Sequence, residues 1–122
     1  MAKIQCKRIY EDYNEDDGIR ILVDRLWPRG ISKEKAKLDH WFKEVAPSSE
    51  LRKWYHHDVT KFEEFADRYK QELSHGEQKR TLEQLKEVVK GCKEMVTLLY
   101  GARDEKNNQA LILKEILADQ EH

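Results

Sequence analysis

The segment Met95 to Tyr100 reads Met-Val-Thr-Leu-Leu-Tyr, a continuous apolar run of strand length. A strand with no charged face has to be covered on both sides, which is the situation of a central strand in a parallel sheet flanked by helices. The rest of the chain is organised around it. Ile19 to Asp24 supplies a second strand, predicted to lie parallel to the first. Lys3 to Tyr10 alternates, with Ile4 and Cys6 on one face and Lys3, Gln5 and Lys7 on the other, as a half-buried outer strand does. Leu38 to Val45 fits either strand or helix, and the aromatic pair Trp41 and Phe42 favours strand.

Helix signals fill the intervals. Ser32 is placed to cap a short helix running to Lys37, and Ser48 to cap one that carries Glu50 in its first turn and buries Leu51, Trp54 and Tyr55. Thr60-x-x-Glu63 matches a capping box ahead of Phe62, Phe65, Ala66, Tyr69 and Leu73 at helical spacing. Leu82, Leu85, Val88 and Val89 mark a further helix that stops at Gly91. A last helix is predicted to begin at Asp104 and is apolar almost all round from Ala110 to Leu117. The acidic stretch Glu11 to Gly18 shows no periodicity and ends in Asp-Gly, so it is read as an exposed loop. The order gives a single α/β domain over residues 1–122, with a small, at least partly parallel sheet flanked by helices.

Charge and cysteine usage narrow the function. With 23 basic and 24 acidic residues the formal charge is −1, so no global field attracts duplex DNA or a membrane surface, and any anion site is local. No apolar run approaches the roughly 18 residues of a membrane span, and Met1 leads into a charged strand pattern rather than a signal core. Cys6 and Cys92 are far apart, with no second pair to build a disulfide framework or a zinc site. The expectation is a cytoplasmic protein with reduced thiols. No P-loop, G-x-G-x-x-G or G-x-S-x-G pattern is present, so no cofactor is assigned.

If Ile19 to Asp24 and Met95 to Tyr100 are parallel neighbours, their C-terminal ends open at one edge, where open α/β sheets bind ligands. Two polar loops then meet there. One is Asp24-Arg25-Leu26-Trp27-Pro28-Arg29-Gly30, and the other is Tyr100-Gly101-Ala102-Arg103-Asp104, followed by Asn107 and Asn108 at the predicted helix start. Arg25, Arg29 and Arg103 carry guanidinium forks suited to carboxylate or phosphate, and a helix N-terminus favours the same charge. The competing reading is structural: Asp24 pairs with an arginine, Trp27 fills the edge of the core and the other charges are solvated. A third candidate is Trp54-Tyr55-His56-His57-Asp58, in which a histidine is available for proton transfer beside an acid. Neighbouring helical positions point about 100° apart, so His56 and His57 make poor joint metal ligands, and no metal is assigned. Cys6, Cys92 and Ser48 read as structural rather than nucleophilic.

Four segments carry a resemblance: Ile-Gln-Cys-Lys-Arg-Ile-Tyr (4–10), Val-Asp-Arg-Leu-Trp-Pro-Arg-Gly (23–30), Ala-Pro-Ser-x-Glu-Leu-Arg-Lys (46–53) and Thr-Leu-Leu-Tyr (97–100). The chain resembles the YeaO-like family of uncharacterised bacterial proteins over almost its whole length. His57-Asp58 and Asn108-Gln109-Ala110 match further family positions, with His56 a competing equivalent, whereas Val59 stands where the family often has proline. The resemblance implies a small α/β fold and one shared pocket, without an established activity, substrate or cofactor.

Two classes of function follow. The first is an enzyme acting on a small phosphorylated or carboxylated compound, with Arg25, Arg29, Arg52 and Arg103 neutralising the anion and His57, His56 or Asp24 moving protons. Trp27, Tyr100, Asp104 and Asn108 complete its expected ligand-binding set. The second is a non-enzymatic module for a nucleotide, single-stranded nucleic acid or protein, stacking its partner on Trp27 or Trp54.

Overall fold

The computed structural model describes residues 3–119. Its centre is a four-stranded, all-parallel sheet built from β1 (Lys3–Arg8), β2 (Ile19–Leu22), β3 (His40–Trp41) and β4 (Met95–Tyr100), in the spatial order β1-β4-β2-β3. β4 takes the central position expected of it. It pairs with β1 from Lys3 against Met95 to Arg8 against Tyr100, and with β2 from Ile19 against Val96 to Leu22 against Leu99. The ambiguous segment at Leu38 resolves into the two-residue strand β3 and a 3-10 turn at Lys43–Val45.

Five helices accompany the sheet: α1 (Lys33–Ala36), α2 (Ser49–Tyr55), α3 (Phe62–Glu72), α4 (Gly76–Gly91) and α5 (Gln109–Asp119). None is long and apolar enough to cross a membrane. Side chains alternate across a strand, so Val96, Leu98 and Tyr100 of β4 and Ile21 of β2 point to the face shared with the larger helices. There they pack with Tyr55, Phe65, Tyr69, Leu85 and Leu113 in the main core. Burial of side chains of this size contributes roughly 1.5 to 3 kcal/mol each, before the entropy of ordering the chain.

The opposite face is covered differently from expectation. A small cluster of Ile9, Leu22, Ile31, Ala36 and Leu99 occupies one part of it. The remainder is polar and is closed by the Asn14–Gly18 turn, which the sequence reading had left in solvent. Asp17 and Arg20 are 2% and 1% exposed, and Arg20 Nη1 donates to Asp17 Oδ2 at 2.5 Å. Arg20 Nε and Nη2 both donate to the Ala36 carbonyl, at 3.1 and 2.9 Å. Thr97 Oγ1 donates to the Asp17 carbonyl at 2.6 Å and accepts from Gln5 Nε2 at 2.8 Å. Burial by itself would raise the Asp17 carboxyl, but hydrogen bonds from Lys7, Asn14 and Arg20 outweigh it and hold the group below the ordinary carboxylate range.

Two helix starts also differ. Ser32 and Ser48 cap α1 and α2 as read from the sequence, accepting from Lys35 N and Leu51 N. Thr60 does not cap α3. Asp58 takes that part, accepting from Thr60 N and Thr60 Oγ1 at 3.0 and 2.6 Å to start a 3-10 turn that runs into the helix. α5 begins at Gln109 rather than Asp104, because Asp104 closes its own loop by accepting from Lys106 N and Asn107 N. Asn108 supplies the cap instead, its Oδ1 accepting from Ala110 N and Leu111 N.

Gly18 turns the chain into β2 with φ +64°, and a Cβ there would lie 2.1 Å from the Met95 carbonyl oxygen. Backbone cannot yield as a flexible side chain does. Gly18→Ala is therefore expected to cost at least about 3 kcal/mol, read from urea unfolding, and a loss below about 1 kcal/mol would show that the turn relaxes.

Candidate functional site

Because all four strands run the same way, their C-terminal ends share one edge, and a cavity of about 250 Å³ opens there. Its polar lining comprises Asp24, Arg25, Arg52, His57, Asn107, Asn108 and Gln109, and its apolar lining Leu26, Ala46, Pro47, Tyr55, Phe65 and Ala102. The volume lies below the roughly 300 to 1,000 Å³ typical of drug-sized ligand pockets. A small metabolite fits that scale better than a dinucleotide.

Asp24 is the organising residue. It stands two residues beyond the end of β2, and its Oδ2 accepts from Gly101 N at 2.7 Å just beyond β4, while Oδ1 accepts from Gln109 Nε2 at 2.5 Å at the start of α5. Its carbonyl accepts from Trp41 Nε1 at 2.7 Å. A Cβ on residue 101 would stand 3.0 Å from Asp24 Oδ2, so glycine permits this close approach. Burial pushes the Asp24 carboxyl up from 3.8 to about 6, against the opposing pull of Gly101, Gln109 and the charge of Arg52.

The arginines divide. Arg25 is committed to the backbone before α2, with Nη2 donating to the Ala46 carbonyl at 2.9 Å and Nε to that of Pro47 at 3.3 Å. Arg52, on α2, donates from Nη2 to Ser49 Oγ at 3.2 Å, while its Nε is buried and reaches no acceptor among the described residues. Although Arg52 acts on Asp24 through its charge, no ion pair within 4.0 Å joins them among the described residues. A buried donor left unpaired costs about 1 to 3 kcal/mol, more when charged.

The expectation that Arg25, Arg29 and Arg103 line one concavity is corrected. Only Arg25 does so. Arg29 is carried outward between buried Pro28 and Gly30 at φ +77°, and its carbonyl accepts from Tyr10 OH at 3.0 Å. Arg103 is exposed on the loop that the late start of α5 leaves behind. Asp104 is spent on that loop, and Tyr100 is buried in the main core. Trp27 lies on the other side of the sheet, donating from Nε1 to the Ile31 carbonyl at 2.6 Å and meeting Trp41 edge-on at 5.3 Å.

His57 reaches the cavity lining and His56 does not. The two stand at φ +57° and +44°, consecutive left-handed residues ending α2. Such conformations cost of order 1 to 3 kcal/mol each for most side chains, though histidine tolerates them better than β-branched residues. Asp58 turns to Thr60 rather than to a histidine, so no acid orients either ring. Cys6 lies outside the lining, and burial raises its thiol to about 11. Both cysteines are unpaired, and among the described residues no group of three or more His, Cys, Asp or Glu side chains is arranged to hold a metal.

Comparison with known proteins now bears on this site. The model of the family described as "Inactive DUF488-N3 subclade" matches residues 3–122. The chain belongs to that subclade. It is 46% identical over 114 residues to the uncharacterized protein YeaO of Escherichia coli, covering 93% of this chain and 96% of the relative. It is 40% identical over 116 residues to the uncharacterized protein Mb3100c of Mycobacterium bovis, covering 95% and 94%. A protein of Mycobacterium tuberculosis, Rv3073c, matches to the same extent. No solved structure matches. The YeaO-like resemblance read from the motifs thus holds along nearly the entire DUF488-N3 chain.

Asn107, named with the second loop, lines this DUF488-N3 site, and Gln109 and the carbonyls of Ala46 and Pro47 join it from positions read only as parts of motifs. Gln109 adjoins the chosen Asn108, but nothing local announces its bond to a residue 85 positions away. Asp24 gives the clearest test. Its folded pKa lies above the unfolded value, so the fold favours the protonated acid, and that contribution is lost as pH rises from about 4 through 6. In Asp24→Asn the amide oxygen can accept from Gly101 while Gln109 turns to accept from the amide nitrogen. The variant should be more stable than the parent at pH 8 by about 1 to 3 kcal/mol, with melting curves that converge as pH falls toward 4.

Proposed function

We propose that this chain is a binding module that holds a small carboxylate- or phosphate-bearing ligand in the cavity at the strand C-terminal edge, without turning it over. Arg52 carries the reading: it is the cation of the lining with a buried N–H that no protein group accepts. A carboxylate or phosphate oxygen in the cavity that reaches its guanidinium makes a charge-assisted hydrogen bond of the stronger kind. Arg25 holds the wall through Ala46 and Pro47 rather than competing for the ligand.

Binding is favoured over catalysis on two grounds. The lining includes no serine, threonine, cysteine or lysine nucleophile, and Asp58, the acid next to its His57, turns to Thr60 instead. The description of the subclade as inactive points the same way. Stacking of a nucleic-acid base finds less support. Trp54 is in contact with the side-chain cations of Arg68 and Lys61, at 4.2 and 5.2 Å from its ring centre, and Trp27 is engaged with Trp41.

The test is thermal stabilisation by a panel of small carboxylates and phosphates. A ligand that binds only the folded chain stabilises it by mass action, about 2.7 kcal/mol at a hundredfold excess over Kd. Arg52→Gln should remove most of that shift, whereas Arg29→Ala, outside the lining, should leave it in place. Equal loss in both variants, or no shift with any member of the panel, would overturn the assignment.

A further inference from the structure

We infer that the ligand is a zwitterion, a small aminocarboxylate with an apolar side chain, whose carboxylate meets Arg52 and whose ammonium meets Asp24. The inference rests on the cavity being a carboxylate site and goes on to name the other half of the ligand. Asp24 and Arg52 line the same small cavity with opposite charges, yet no ion pair joins them. Each lacks a full complement. Arg52 Nε donates to no protein acceptor, and each oxygen of Asp24 accepts one hydrogen bond, from Gly101 or Gln109. An ionised carboxylate offers about four acceptor positions, so about two remain.

A simple anion would satisfy Arg52 but would bring a second negative charge toward Asp24. A simple amine has the converse fault beside Arg52. A molecule carrying both charges a few bonds apart relieves both and adds no net charge to a partly desolvated space. Burial makes this complementarity matter more, because it is what raises the Asp24 carboxyl, and a neighbouring ammonium favours its ionised form. The remaining wall is apolar, formed by Leu26, Ala46, Pro47, Tyr55, Phe65 and Ala102. It suits an aliphatic or aromatic side chain, and the volume of about 250 Å³ limits that side chain to a single group of amino-acid size.

The experiment compares matched probes by titration calorimetry on the intact chain at neutral pH. L-leucine is set against isocaproate, which lacks the amine, and isoamylamine, which lacks the acid. L-phenylalanine is set against hydrocinnamate and phenethylamine in the same way. In at least one series the amino acid should bind at least about tenfold tighter than either truncated analogue, the scale of one lost charge-assisted hydrogen bond. Asp24→Asn should bring the amino acid down to the affinity of the des-amino acid, and the wild-type series decides the matter alone if that variant does not fold. Isocaproate and hydrocinnamate each binding as tightly as its amino acid would overturn the zwitterion while leaving the carboxylate site standing. Failure of every carboxylate and phosphate would remove the underlying site as well.

Discussion

The buried pair of Asp17 and Arg20 is what lets a sheet of four strands be closed on its second side. The four larger helices carry the main core on one face, leaving the other to loops and a single helical turn. An arginine in the middle of β2 would ordinarily be a defect. Here its guanidinium is satisfied by one carboxylate and the Ala36 carbonyl, and the carboxylate in turn by Lys7, Gln5 and the Asn14 amide. Removing one partner of a buried ion pair costs about 3 to 5 kcal/mol, whereas the intact pair contributes much less than its Coulomb energy suggests. Its value is therefore positional: it fixes the turn before β2, hence the register of β2 on β4, hence where Asp24 emerges.

The candidate site repeats that logic at the opposite end of the strands. Asp24 links the end of β2 to the loop after β4 and to the start of α5. Arg25 links the same loop to the entry of α2, and Ser48 at that entry is held by Glu72 of α3 through its N–H and hydroxyl. The walls of the cavity are thus tied by side chains that also hold the elements together. Arg52 is different, since its Nε takes no part in such a tie. That contrast separates the residues that build the cavity from a lining cation whose Nε is left unsatisfied.

How much of this could be read from the residues alone depended on the range of the interaction. β4 was legible because double-sided burial leaves a one-dimensional trace, and its pairing with β2 followed from the same trace. Capping at Ser32 and Ser48 was legible for a similar reason, being local. The start of α5 was not, because Asp104 has the chemistry of a cap and spends it on the turn to Asn107. Thr60 was misread through competition with Asp58 two residues earlier. The grouping of three arginines failed on direction: the edge where loops meet follows from topology, but a turn such as Pro28 to Gly30 decides which way Arg29 points. Asp17 lay hidden in an acidic run whose other members are exposed. Only the identity of its partners, Arg20 nearby and Lys7 and Thr97 farther off, distinguishes it.

The strand order has a consequence for how the chain is made. Among the described residues β1 and β2 do not pair with each other; each pairs with β4, and β1 pairs with no other strand. The contact between Gln5 and Thr97 spans 92 positions. During synthesis the first strand must wait, with both edges open, until the last strand has left the ribosome. Closing so long a loop is slow, and exposed strand edges invite wrong partners in the interval. The lysines of β1, at positions 3 and 7, and its incomplete burial along the whole strand suit a segment that has to stay in solution that long.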